Sequence, residues 1–211
     1  HAVVFNVTER ANGETRALQP RELYRTQQYA TAVYRSELAL RLHGLGYQIE
    51  RGTSGQPEIA GYTPEYLEAS SPRRQQIEDA LAREQRSGAG AAQIAAHRTR
   101  QPKLDTSHAD MQERHRNLAR SFGDQPACVV ETAQHAHARG EQYVPYVTAY
   151  SAVTYARERS FERDAVVDDR VLMREALNRS MGDLSLQDVR EELKARTEAR
   201  EFVAVTRPPG A

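Results

Sequence analysis

Tryptophan is missing from the 211 residues, and cysteine occurs once, at Cys128. A lone cysteine excludes an internal disulfide and a thiolate zinc cluster, and it fits a reducing, cytoplasmic setting. No apolar run reaches the roughly 18–20 residues of a membrane-spanning helix. Lysine is confined to Lys103 and Lys194, so every other basic side chain is an arginine. The net charge of zero excludes a global polycation. A glycine-rich phosphate loop, paired catalytic carboxylates and a Ser/His/Asp constellation are also missing, so no complete catalytic machinery is legible.

The charge that is there is unevenly spread. Between Arg73 and Arg120 ten basic residues face six acidic ones, whereas from Arg157 to Glu201 ten basic face twelve acidic. Arginine forks make bidentate phosphate contacts that lysine cannot, so the first stretch suits nucleic acid. A GC-rich genome that encodes arginine throughout is the alternative account.

The order of elements reads as α+β. AVVFNVT at 2–8 and TRAL at 15–18 predict a hairpin around Asn12-Gly13. A long helix runs from Arg21 to about Gly44, opened by Pro20 and stopped by Gly44 and Gly46. Its stripe of Leu23, Ala30, Tyr34, Leu38, Leu42 and Leu45 is expected to face a core. GYQIERG and PEIAGY predict a second strand pair, TPEYLEAS a short capped helix, and Ser71-Pro72 the start of another. SGAGAAQIAAHRTRQPK reads as flexible and then basic, and a helix covers about 106–121. Residues 123–145, with Pro126, Gly140 and Pro145, read as a linker. Three helical segments follow, with Asp168 or Asp169 and Ser185 as N-caps. The domain expectation is thus 1–122, a linker at 123–145, and an all-helical segment at 146–211.

Few side chains suggest chemistry on their own. His135 and His137 stand two apart, a chelating spacing on a strand, but they fall in the expected linker. Tyr143, Tyr146, Tyr150 and Tyr155 cluster, and ordinary packing accounts for them. Gln27 and Arg35 lie two helical turns apart, about 12 Å along the axis. A glutamine beside an arginine fork suits base and phosphate contacts, and it equally suits a solvated helix face.

HAVVFNVTERANGETRAL, ELYRTQQYATAVYRSELALRLHGLGYQIE, PEIAGY, SSPRRQQI and RTRQPK follow one another in this chain. That succession resembles the conjugative relaxases of the TrwC/TraI type, the MobF family, over about residues 1–122. The later stretch AVTYARERSFERDAVVDDRVLMREALNRSMGDLS resembles the helical segment that leads from relaxase to helicase in the same polypeptides. The fold the resemblance implies is an antiparallel-sheet relaxase half-domain followed by helices.

The resemblance implies an enzyme that nicks one plasmid strand at an origin of transfer by metal-assisted tyrosine attack, and that holds the single strand. His1 corresponds to the last of three histidines binding a divalent ion such as Mg, Mn or Zn; a tag or cut-site remnant is the competing account of that residue. Gln27 and Arg35 correspond to the helix lining the DNA groove, Arg16 to the basic position of the turn, and Arg73 or Arg74 to a basic helix. Arg98, Arg100 and Lys103 correspond to a T-R-x-x-K element, as phosphate contacts or as structural residues. Thr15 and Ser70 replace a tryptophan and a phenylalanine of the family pattern, so base stacking differs here. No tyrosine of this chain matches the family's nucleophiles. The expectation is therefore an internal fragment, inactive as a nickase, whose parent acts in the cytoplasm with origin-of-transfer DNA, relaxosome and coupling proteins. The rival expectation is a non-enzymatic helical adaptor or DNA-binding regulator.

Overall fold

The computed structural model describes residues 7–17, 20–100 and 106–205. They form two compact units, one from residues up to 58 joined with 141 onward, the other from 59 to 140.

In the first unit a hairpin of β1 (Val7–Glu9) and β2 (Thr15–Ala17) pairs antiparallel, with Thr8 opposite Arg16. Helix α1 (Arg21–Gly44) follows and is closed off at Gly46, whose φ of 89° turns the chain back so that the next N–H, of Tyr47, reaches the Leu42 carbonyl at 3.0 Å. Strands β3 (Ile49–Arg51) and β4 (Pro57–Ile59) form a second pair. The unit is completed by α7 (Ala149–Ser160), α8 (Asp169–Ser180) and α9 (Leu186–Glu198). Asp168 caps α8, and Thr148 and Ser185 open α7 and α9 with reciprocal capping boxes.

The core shows why these helices gather on α1. Ala32, Ala152, Val153, Ala156, Met173, Ala176, Leu177 and Val189 are buried together. Small side chains let the helix backbones approach closely. On α1 the buried line is Ala32, Ser36, Ala39 and His43, one residue every three or four. The expected core stripe is thereby corrected: Leu23, Tyr34 and Leu45 are exposed, and Leu38 and Leu42 are only half-buried. Ser36 donates to the Leu184 carbonyl at 2.8 Å and accepts from Gly182 N–H at 3.2 Å. Gly182 has φ of 92°, and a Cβ there would lie 2.6 Å from that of Ala39, so glycine alone fits the contact.

The second unit holds α2 (Pro64–Ser70), α3 (Pro72–Arg83), α4 (Ala89–Arg98), α5 (His108–Ser121) and α6 (Gln125–Ala138). Tyr66 stacks on Tyr62 and meets Phe122 edge-on, and Gln125 accepts from Thr63 N–H at 2.9 Å. Two expectations are corrected in this unit. The stretch predicted as flexible contains α4, and the predicted linker contains α6. Pro126 sits in the first turn of α6, where a missing N–H costs nothing. Helices α7–α9 do not stand apart as a separate segment; they share a core with α1.

Candidate nucleic-acid interface

With its small-residue line buried, α1 turns a long polar and aromatic face outward. Tyr24, Gln27, Thr31 and Tyr34 follow at helical spacing, and all four are exposed. Tyr24 and Tyr34 keep 69% and 66% of their surface, a large exposure for aromatic rings. The two rings bracket Gln27 over about 15 Å of helix axis. Sequence periodicity had placed Tyr34 in the core and passed over Tyr24. The available cue was the run of alanine and serine on the opposite side.

Arg35 extends this face toward the β3–β4 turn, where it donates to the Ser54 carbonyl at 3.2 Å. The turn is held by Gln56, which accepts from Ser54 N–H at 3.0 Å and donates to Glu58 at 2.6 Å. Arg35 therefore has a positioning role besides any ligand contact. Arg51, unremarked in the sequence, donates to the Asn178 and Arg179 carbonyls at 2.6 and 3.3 Å. It sits at the negative end of α8, where a cation is favoured. Arg16 projects from the hairpin and pairs with Glu14 at 3.7 Å.

The remaining predicted contacts lie in the second unit. Arg73 has a clamping role: its guanidinium donates to Thr99 O at 2.7 Å, to Thr99 Oγ1 at 3.0 Å and to the Ala96 carbonyl. These are the open carbonyls at the end of α4. Arg74 points outward and pairs with Glu78 at 2.8 Å. Arg98 pairs with Glu84 at 2.7 Å, and Arg100 is exposed just beyond α4. Both surface pairs are of the solvent-screened kind, weak enough to exchange a carboxylate for a phosphate. Lys103 lies outside the described residues.

No group of three His, Cys, Asp or Glu suited to a metal occurs among the described residues, and His1 lies outside them. His135 and His137 fall in the last turn of α6. On a helix, residues two apart diverge by about 200°, so the spacing that chelates on a strand does not do so here.

Buried deeper in the first unit, the His43 ring stacks on Tyr143 with centroids 3.6 Å apart. Tyr143 donates to Asp183, whose other oxygen accepts from Val147 N–H at 2.9 Å. Burial, then that carboxylate, pushes the Tyr143 hydroxyl far above its usual range. The cluster fastens the segment before α7 to the end of α1.

A family model described as TrwC relaxase matches residues 1–122. Solved structures of the conjugative relaxase TrwC resemble the chain at 29% identity and TM-score 0.51 over 56% of its length. They include a metal-free complex with origin-of-transfer DNA and a complex with a 27-mer comprising the recognition hairpin and cleavage site, of which 43% and 44% are covered. A metal-bound complex with origin-of-transfer DNA matches at the same identity and TM-score, with 42% of it covered. The chain thus spans less than half the length of these relatives. A comparison with curated proteins gives no match. No helix among the described residues is long and apolar enough to cross a membrane. With the family model matching more than half of its residues, the chain belongs to the TrwC relaxase family.

Proposed function

We propose that this chain is the strand-holding portion of a conjugative relaxase that nicks one plasmid strand at an origin of transfer by tyrosine attack. The observation that carries the reading is the outer face of α1, where two exposed tyrosines bracket Gln27 beside Arg35. Aromatic faces stack unpaired bases, glutamine reads base edges, and arginine meets phosphate. Arg16 on the hairpin, and Arg74, Arg98 and Arg100 in the second unit, are proposed as further phosphate contacts, with Lys103. Of the family's metal histidines only His1 carries over, and no tyrosine matches a nucleophile. By itself the chain is therefore proposed to bind DNA without cutting it. The parent is proposed to work in the cytoplasm with relaxosome and coupling proteins, residues 146–211 leading toward a helicase.

Fluorescence anisotropy with a labelled single-stranded oligonucleotide tests this. Alanine at Gln27 and Arg35 together is expected to weaken binding by about tenfold or more, and added salt to weaken it further. Equal affinity in the double variant would refute the interface, and it is what an adaptor using other surfaces predicts.

A further inference from the structure

Three arginines of the first unit gather where the β3–β4 turn meets the end of α8. Arg35 reaches the turn from α1 and donates to Ser54 O at 3.2 Å. Arg51 reaches it from β3, where a Cβ at Gly55 would lie 3.8 Å from its Nη1. Through Nη2 the same guanidinium donates to Asn178 O and Arg179 O, at 2.6 and 3.3 Å, in the last turn of α8. Arg179 itself extends over the Tyr155 ring of α7, 5.3 Å from its centroid. Ser36, next to Arg35, bonds the turn just past α8, which holds α1 at the same level.

No carboxylate of the described residues pairs with these three groups. The acids around them are turned to other donors: Glu37 to the Leu186 N–H, Glu58 to Gln56, Glu175 to Arg159 and Arg174, and Asp183 to Tyr143 and the Val147 N–H. Alternation along β3 turns Glu50 away from Arg51. The bonds that are made hold the forks without exhausting them. Arg35 spends Nη1 on a carbonyl and Arg51 spends Nη2, so each keeps further N–H donors, while the Arg179 guanidinium bonds to none of the described residues. Arg51 and Arg179 are exposed. A phosphate therefore meets charge-assisted donors with no carboxylate to displace, and Arg51 is already fixed before it arrives. Tyr155, 38% exposed, lies beside Arg179, and bases stack on aromatic rings and guanidinium planes alike.

We propose that the bound single strand continues from α1 across the β3–β4 turn to the end of α8, with Arg51 and Arg179 on successive phosphates and Tyr155 against a base. The inference rests on the strand-holding reading of α1 for its ligand, but its own contacts are separate from Tyr24, Gln27 and Tyr34. It carries the strand beyond residues 1–122, the part that matches the relaxase model, and gives α7 and α8 a share in holding DNA.

Anisotropy titrations of the 211-residue chain with a labelled twelve-residue oligothymidylate, repeated across a salt series, provide the test. Arg179→Ala is expected to weaken binding about threefold or more and to lower the slope of log affinity against log salt by about 0.7, the share of one phosphate on a single strand. Arg179→Lys keeps the charge and should keep the slope. The Arg179 side chain is exposed and holds no hydrogen bond among the described residues, so its variants leave α8 intact, which circular dichroism verifies. Tyr155→Ala should weaken binding without changing the slope, and Tyr155→Phe should restore it. Arg179→Ala with unaltered affinity and slope, beside a Gln27 and Arg35 double variant that loses binding, would overturn this inference alone. Loss in Arg179→Ala but not in the double variant would support the end of α8 as a site and refute the α1 face. Unaltered binding in both would overturn both.

Discussion

Ser36→Ala removes one oxygen atom from the contact between α1 and the α8–α9 turn. The Oγ is 1% exposed at residue level, donates to Leu184 O at 2.8 Å and accepts from Gly182 N–H at 3.2 Å. Without it a buried carbonyl and a buried N–H both lose their partner. Each orphaned group costs about 1–3 kcal/mol, and the vacated space is too small to admit a water in compensation. Some relaxation of the turn recovers part of this, giving an expected loss of about 2–4 kcal/mol. That is a large share of the roughly 5–15 kcal/mol that holds a domain folded. Urea unfolding followed by helical circular dichroism measures it, with Thr31→Ala as comparison. Thr31 donates to the Gln27 carbonyl on the exposed side of the same helix, where alanine should change stability by less than about 0.5 kcal/mol. If the two variants unfold at the same urea concentration, the α1–α8 contact is not what organises the first unit. The reasoning would then fail.

Two further outcomes follow from the same structure. Burial holds His43 below its usual pKa, against the opposing pull of its Tyr47 carbonyl partner and Asp183. The unfolded chain therefore takes up a proton that the folded one resists, so stability is full above about pH 6.5 and falls as pH drops below it; His43→Gln should flatten that slope between pH 7 and 5.5 in urea titrations. Arg73→Ala should cost about 1–2 kcal/mol through the lost cap on α4 while leaving oligonucleotide affinity within about twofold, and a variant that keeps its stability but loses DNA would make Arg73 a phosphate contact instead.

The caps and most elements were legible because they depend on local chemistry. Asp168 and Ser185 announce helix starts by side-chain hydrogen bonding that any neighbouring turn would permit. The orientation of α1 was not legible. Leucine and tyrosine outweigh alanine and serine in any hydrophobic pattern, yet tertiary packing selected the small line because α8 comes close there. Helix α6 was hidden by weak periodicity and by Pro126 and Gly123, which act as entry punctuation here and not as breaks. Arg73 shows the limit at the candidate interface. Its position in a basic helix fits a phosphate contact, but the nearby carbonyls of α4 lie beyond any spacing the sequence displays.

The two sides of α1 obey different rules of change. Ala32, Ser36 and Ala39 are buried, so a larger residue there must displace its neighbours at a cost of about 1–3 kcal/mol, and drift is held back by lost stability. The opposite side touches little, and substitution at Tyr24, Gln27 or Tyr34 leaves the scaffold intact. A lineage can therefore retune what this helix reads one residue at a time, without first acquiring stabilising mutations elsewhere. Divergence among relatives should be concentrated on that outward strip of a single helix.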